Sequence, residues 1–485
     1  MTRHDPVVVW LRRDLRLHDH PALSDAVASG RPVAPLFVFD PALLHGRFAS
    51  PNRTWFLLGS IVALRRELEA RGSRLFVRVG DPSGVLPAFA REIRAGDVVV
   101  SRDHTPYGRR RDRAVATALA DAQIDLRAKR GLLIHEPESL VTGAGAGYTV
   151  FGPFLRRWEA LPMRDILPAP DKLPTVEADA GAMPDLAGLG FDGPTAEEAR
   201  LPEPGERAAR RRLETWLDTG GPVDYDRTRD RLDDPNATSH LSADLRFGLL
   251  SPVEIATRAL ASDDGQGGSR RFASELAWRD FYAHALWHAP RIAREPMDER
   301  YRDIIWEDDK AGLEAWQDGR TGYPIVDAAM RQLRQTGWLP NRARMIVASF
   351  LTKDMLIDWR AGERHFMTHL IDGDPASNLG GWQWAASIGT DSRPFVRVFN
   401  PITQAKRFDP DGAYVRTWLP DLVHVPEGRI HEPWTMTPEE QVAAGCHIGV
   451  DYPAPIVDHA SARERALARY AAAVAAAATS AAKAR

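Results

Sequence analysis

A single cysteine, Cys446, stands in a chain of 485 residues, so neither an intramolecular disulfide framework nor a cysteine-rich zinc site can be built. A reducing compartment, the cytoplasm, is the expected setting, and no metal site is expected. Nowhere do about 18 apolar residues run without interruption, the length a membrane helix needs. The opening MTRHDPVVVWLRRD has too short an apolar run for a signal peptide. A soluble chain with no membrane partner is expected. Charge of one sign is also missing: 63 basic against 66 acidic residues leave a net charge of −3. That balance gives no bulk attraction to nucleic acid, so any such binding must come from a local patch. Walker A and a GxGxxG opening a helix after the first strand are absent too, which removes the main support for ordinary nucleoside-triphosphate or NAD chemistry.

What is present divides into two parts, as the length suggests. Apolar β-like runs at residues 7–11, 33–39, 75–79 and 98–100, with a weaker one at 132–134, alternate with amphipathic stretches at 55–70, 85–93 and 113–122. This βαβ rhythm predicts a doubly wound α/β domain with a parallel sheet over residues 3–136. Residues 137–204, rich in proline, glycine and alanine, read as an interdomain connection, with GAGAG at 143–147 as a flexible turn. Beyond them strands are hard to find. Ser251-Pro252-Val253-Glu254 has the form of a capping box, and helical spacing recurs at 273–288, 324–333 and 342–357. A mainly α-helical domain is predicted over 205–475, followed by an alanine-rich tail, 476–485, expected to fray.

Residues 372–387, DGDPASNLGGWQWAAS, combine acids, an amide, paired glycines and two tryptophans. Carboxylate and amide groups beside Gly380 and Gly381 suit the polar edge of a flat ring that the backbone approaches closely. Trp382 and Trp384 differ by about 200° on a helix and should face opposite sides, one toward a substrate and one inward. Fourteen tryptophans are many for this length, and burial is their usual purpose, although tryptophan also stacks best on bases and flavins. In SELAWRDFY, Glu275, Trp278, Arg279 and Tyr282 fall on one helical face, where an internal Glu-Arg contact and a binding site are about equally good explanations. Asn341-Arg342-Ala343-Arg344-Met345 gives a second polar face, and an exposed basic helix start would explain it as simply. Hydroxyls in Thr238-Ser239-His240-Leu241-Ser242, ahead of a helical pattern, suit a diphosphate, although plain caps are the commoner use.

Taken together, these segments resemble the cryptochrome/photolyase family, most closely bacterial class I cyclobutane pyrimidine dimer photolyases. The similarity begins at WLRRDLRLHDHPAL and passes through YTVFGPFLRRW and TSHLS. It is dense from SELAWRDFY through TGYPIVDAAMRQL, GWLPNRARM, LIDWRAGER, the 372–387 segment and FNPITQAKRFD. The resemblance implies an N-terminal α/β antenna domain followed by an all-α FAD-binding domain. It implies FAD contacts at Tyr225, Thr238, Ser239, Leu241 and Ser242 around the diphosphate and ribitol. Arg279, Arg344, Asp372, Asp374 and Asn378 would contact the flavin, with Arg344 and Asp372 paired beside the ring and Asn378 facing N5. It further implies that UV-damaged DNA is the partner, with a pyrimidine dimer flipped out of the helix. Trp278 and Trp384 would stack on the dimer, with Glu275, Asn341, Arg342 and Met345 at its edges and Arg229 and Gln404 toward DNA.

Similar enzymes excite fully reduced FAD, pass one electron to the dimer, let the cyclobutane ring split and recover the electron. Glu275 would stabilise charge developing on the dimer. Trp382, Trp359 and Trp306 would form the inner, middle and outer members of a chain that reduces resting flavin. A blue-light signalling cryptochrome is the competing reading. Repair-like identities at Trp384, Glu275 and Asn341, and an asparagine at 378, favour repair. HTPYGRRRD at 104–112 resembles the deazaflavin-binding antenna type, which favours 8-hydroxy-deazaflavin over methenyltetrahydrofolate, with Asp40, Arg53 and Asp103 as contacts. A monomer is expected. Three positions depart from the family pattern: His240 for an arginine, Asp280 for a glutamate and Gly152 for a threonine.

Overall fold

The computed structural model describes residues 5–390 and 396–483. Five parallel strands, β1 (Val7–Leu11), β2 (Val33–Phe39), β3 (Phe76–Val79), β4 (Asp97–Ser101) and β5 (Asp125–Lys129), form one sheet in the order β3-β2-β1-β4-β5. Val7 pairs with Val33 on one side and Asp97 on the other, so the order of connection reverses across β1. In such sheets the crevice beyond the carboxyl ends of the strands, at that reversal, is where ligands bind.

Every residue of β1 and β2 is buried, as expected of parallel strands covered on both faces. Val8 and Trp10 pack with Leu86, Phe89, Val115 and Leu119 of the helices Pro82–Glu92 and Pro106–Asp121. Val7, Val9 and Leu11 face the opposite way. They join a core that continues through Phe56 into Phe247, Phe272, Leu276 and Phe281 of the helical part. The two parts therefore share apolar core. Proline at the first helical turn recurs, as in Pro51–Glu69, Pro82–Glu92, Pro106–Asp121 and Pro375–Ala385. Each of these helices is preceded by a Ser, Asp or Thr whose side chain caps a free amide.

Two expectations, on the last strand and on the capping box, are corrected. The last strand is Asp125–Lys129, not residues 132–134. DLRAK is an edge strand, half exposed and charged, and carries no apolar run to read. Leu132, Leu133 and Ile134 are apolar because they form a buried loop. The 137–204 segment runs between the sheet and the helical part. It contains the helix Phe151–Glu159, and further along it lies against the sheet, with Val33 N–H donating to Pro174 O at 2.8 Å and Val77 N–H to Ala180 O at 2.7 Å. The capping box at Ser251 is half formed. Its hydroxyl accepts from Glu254 N at 3.4 Å, but the Glu254 carboxylate turns to Arg210 at 3.0 and 3.1 Å. The alanine-rich end belongs to the helix His459–Lys483, and residues 484 and 485 of the tail expected to fray lie outside the described residues.

Asp280, one of the three departures, joins the parts. One carboxylate oxygen accepts from Ile134 N, His135 N and Trp158 Nε1, each at 3.1 Å. Burial pushes its carboxyl up to about 6 against the lowering pull of Arg279 and these bonds. Asp280→Ala leaves three buried donors unpaired, each costing about 1–3 kcal/mol. The expected loss in urea unfolding is roughly 3 kcal/mol or more, and a loss of only a few tenths would remove Asp280 from this role.

Candidate cofactor and DNA cavity

A cavity of ≈ 520 Å³ opens in the helical part, lined from Gly221–Thr228, the 238–242 loop, Ser242–Phe247, Gly268–His288, Asn341–Ser349, Trp359–His369 and Pro375–Ala385. Tyr225, Thr238, Ser239, Leu241, Ser242, Arg279, Arg344, Asp372, Asp374 and Asn378 all line it. So do Arg229, Glu275, Trp278, Asn341, Arg342, Met345, Trp382 and Trp384. Gln404, on the helix Pro401–Phe408, and Trp359 and Trp306 are not in its lining.

The acidic side is organised by arginines. Asp374 caps Pro375–Ala385, accepting from Ala376 N and Ser377 N at 3.0 Å, and its second oxygen pairs with Arg13 of the α/β domain. Burial alone would raise the Asp374 carboxyl, but Arg13, Arg246 and Arg279 hold it well below the usual carboxylate range. Asp372 accepts from Arg344 at 2.7 Å through one oxygen, while its other oxygen is buried without a partner. Asn378 Nδ2 donates to Glu363 O at 3.1 Å. Arg279 donates to Leu132 O at 2.7 Å, and burial lowers its pKa.

At the 238–242 loop, Ser242 Oγ accepts from Trp338 Nε1 at 3.2 Å. The His240 ring lies 4.3 Å from that of Trp338, on a backbone at φ +52°. Arg246 also lines the cavity and donates to Gly373 O at 2.8 Å. Burial pulls its guanidinium down to about 9. The sequence reading missed Arg246, although it stands one helical turn beyond Ser242 and so shares a face with it. Arg13 was missed for a different reason: it lies some 360 residues from Asp374 and nothing local marks the pair.

On the opposite wall, Glu275 is held by Arg229 and, at 3.2 Å, by Arg271. Arg342 pairs with Asp230 at 2.7 Å and lies 4.2 Å above the Phe408 ring. Asn341 Nδ2 is 3.6 Å from Met345 Sδ. Trp278 stacks on Phe151 at 3.7 Å and 10°, so one ring face is taken within the protein. Trp384 is half-buried, with the Arg397 guanidinium 6.0 Å from its ring.

Trp382 is 2% exposed and packs edge-on against Phe366 at 5.0 Å and Trp316 at 6.0 Å. Trp359 is buried in the same apolar cluster, and Trp306 packs against that cluster, 6.4 Å from Tyr470. The expectation that Trp382 and Trp384 face away from each other is corrected in one respect: both touch the cavity, one from within the core and one from a half-exposed position. The paired glycines also separate. A Cβ at Gly380 would overlap the Tyr282 ring, whereas one at Gly381 meets nothing. Gly380 therefore serves helix packing, and Gly381 alone opens on the cavity.

The expected antenna residues lie elsewhere. Asp40, after β2, accepts from Tyr107 Oη and from Ala42 N at 3.0 Å. Asp103, after β4, pairs with Arg111 at 3.3 Å, and Arg111, Arg13 and Arg12 outweigh burial to hold its carboxyl below the usual range. Arg53 donates to the carbonyls of Phe48, Met367 and Leu370, the last at 2.8 Å, and burial lowers it to about 10.

A parallel α/β sheet sharing its core with a helical part, whose cavity is rimmed by half-buried arginines and carboxylates, defines a protein built to hold a large, anionic, aromatic cofactor. Comparison with known proteins makes that specific. Family models for DNA photolyase and for the FAD binding domain of DNA photolyase match residues 7–175 and 272–472. The chain is 41% identical over 471 residues to the deoxyribodipyrimidine photo-lyase of Synechococcus sp., covering 94% of each. Among solved structures it is similar to a bacterial class III photolyase from Agrobacterium tumefaciens, at 39% identity and a TM-score of 0.91 over 97% of this chain and 98% of that one. It is also similar to a Synechocystis sp. PCC6803 cryptochrome, at 33% identity and a TM-score of 0.88 over 97% and 99%. The chain belongs to the DNA photolyase family, and its helical part is the family's FAD-binding domain.

The residues present fit that cofactor. The orphaned Asp372 oxygen is an acceptor for a ring N–H, Gly381 leaves room for a ring, and Arg246 supplies positive charge near the 238–242 hydroxyls. Gly380→Ala should cost about 1–3 kcal/mol through overlap with Tyr282. Gly381→Ala, gaining helix propensity in open space, should be neutral or slightly stabilising. Thermal unfolding of the two variants checks this, and equal losses would contradict the division of roles.

Proposed function

We propose that this chain is a light-driven DNA lyase that splits cyclobutane pyrimidine dimers in UV-damaged DNA, working as a cytoplasmic monomer. The observation that carries this reading is the sharing of one cavity. Asp372, Arg344 and Asn378, suited to a ring edge, line the same space as Glu275, Asn341, Met345 and Trp384, suited to an extruded base pair. Reduced FAD, when bound and excited, supplies the electron that opens the cyclobutane ring.

The chain's own residues supply geometry and electrostatics. The 238–242 segment, Tyr225 and Arg246 receive the diphosphate and ribitol. Arg344 fixes Asp372, whose free oxygen would accept from the ring edge of bound flavin, and Asn378 would hold the ring near N5. Trp384 and the free face of Trp278 offer π surfaces to the dimer, which costs less to unstack than intact bases. Glu275, oriented by Arg229 and Arg271, stands where charge develops on the dimer. Arg229, Arg342 and Gln404 contact the flanking DNA, where guanidinium groups read phosphate rather than sequence. Trp382, Trp359 and Trp306, in and against one apolar cluster, serve as the electron supply to resting flavin. As antenna we propose 8-hydroxy-deazaflavin rather than methenyltetrahydrofolate. It would lie near the 104–112 segment, with Asp40 and Asp103 at the strand ends and Arg53 at the junction with the helical part.

The similarity to a cryptochrome supports light signalling as a second reading. Incubation with dimer-containing DNA in light and in darkness separates the two. Light-dependent return of intact pyrimidines is expected, and none in light would overturn the lyase reading. Trp384→Ala should weaken binding of dimer-containing DNA by about 1–3 kcal/mol with FAD retained. Unchanged preference for damaged over intact DNA would remove its stacking role. Trp382→Phe should abolish photoreduction of oxidised FAD while leaving repair by chemically pre-reduced enzyme intact, and loss of that repair would contradict a role confined to electron supply.

A further inference from the structure

Lys353 is 1% exposed, an unusual place for an ammonium group. Burial lowers its pKa to about 7, opposed by Asp354. Asp354 itself is engaged by His459 rather than by a direct bond from the lysine. Instead, Lys353 Nζ donates to Ser387 Oγ at 2.7 Å and to Arg397 O. A buried amine bonded to two neutral oxygens is costly to keep unless those oxygens need holding.

Both oxygens belong to residues beside Trp384, which lines the cavity. Ser387 follows the end of Pro375–Ala385, and its N–H closes the last turn on Trp384 O at 3.0 Å. Its φ is +59°, a left-handed conformation that glycine adopts freely and serine does not. Glycine would relieve the strain but would lack the hydroxyl that Lys353 bonds. Arg397, held by its carbonyl, places its guanidinium 6.0 Å from the Trp384 ring. Phe399 N–H donates to Ser349 Oγ at 3.3 Å, a second tie to the same segment.

Asn341, Met345, Ser349 and Lys353 recur every fourth residue, the last beyond the helix Asn341–Ser349 in a wide π turn, Phe350–Asp354. One continuous rod thus presents Asn341 and Met345 to the cavity and anchors Ser387, Arg397 and Phe399 at its far end.

We propose that Lys353 is a positioning residue for DNA recognition: its buried amine clamps the end of the Pro375–Ala385 helix to Arg397, presenting the Arg397 guanidinium beside Trp384 to a phosphate next to the extruded dimer. The proposal rests on the assignment of Trp384 to the lesion. Its probe is a dimer-containing duplex oligonucleotide, titrated against the FAD-loaded full chain at several salt concentrations.

Lys353→Met should bind about tenfold more weakly. The slope of log affinity against log salt should become shallower by about one phosphate contact, as in Arg397→Gln, and the double variant should add little more. A wild-type slope in Lys353→Met, or additive losses in the double variant, would overturn the clamp. Ser387→Gly gives an independent reading even if Lys353→Met does not fold. The clamp requires weaker binding, about threefold, and a shallower slope in a protein whose Tm is unchanged or higher. A serine that only caps the helix would leave binding and slope unchanged. If Trp384→Ala leaves the preference for damaged DNA unchanged, the underlying assignment fails; if Trp384→Ala weakens it while Lys353→Met and Ser387→Gly bind as wild type, only the clamp fails.

Discussion

The two oxygens of Asp374 hold together what the rest of the molecule requires to be held. One accepts the free amides at the start of Pro375–Ala385, and the other meets Arg13, which follows the first strand of the sheet. That helix carries Asn378, Gly381, Trp382 and Trp384, so four groups that line the cavity take their direction from one capped end. A cap on an exposed helix is worth about 1 kcal/mol. This one is half-buried and ion-paired across the two parts, so removing either partner takes away a charge pair as well as a cap. The junction between the parts is therefore a condition for the site and not merely a boundary beside it.

The same junction concentrates positive charge. Arg13, Arg246 and Arg279 all act on Asp374, and Arg13 in turn lowers the pKa values of both Arg246 and Arg279. Three half-buried guanidinium groups share the single carboxylate of Asp374, so a further anion among them would be favoured. A bound diphosphate in this place would therefore couple cofactor binding to the stability of the helical part by electrostatics as well as by apolar contact. The near-neutral bulk composition hides this, because a net charge says nothing of where the arginines cluster.

Legibility in the sequence followed locality. β1 and β2 were readable because strands buried on both faces must be continuously apolar. β5 was not, because an edge strand bearing Asp125, Arg127 and Lys129 has no apolar pattern, while the buried loop at Leu132 to Ile134 has one without being a strand. Asp280 explains that loop, since a carboxylate from a distant helix satisfies the amides that a strand partner would otherwise have taken. Residues that meet the cavity from 225–242, 275–279, 341–345 and 372–384 were legible as short motifs in order. Arg13 was not, because its significance is a contact between parts of the chain far apart in sequence. Arg53 carries the same lesson: nothing local in the sequence marks the three carbonyls that its guanidinium reaches.

Helical period separated Trp382 from Trp384 correctly but left open what lies between them. Because the cavity passes along the helix rather than to one side of it, two indoles about 200° apart can both border it. Gly362 leaves room for the Trp382 ring on one side, where a Cβ would overlap it, and Gly380 lets the helix close on Tyr282. The helix is thus packed tightly by glycine contacts where it meets the core, open at Gly381 where it meets the cavity, and half exposed at Trp384. One helix carries the passage from the buried aromatic cluster to the half-exposed Trp384, and it is held by the Asp374 carboxylate at one end and next to the Ser387 hydroxyl at the other.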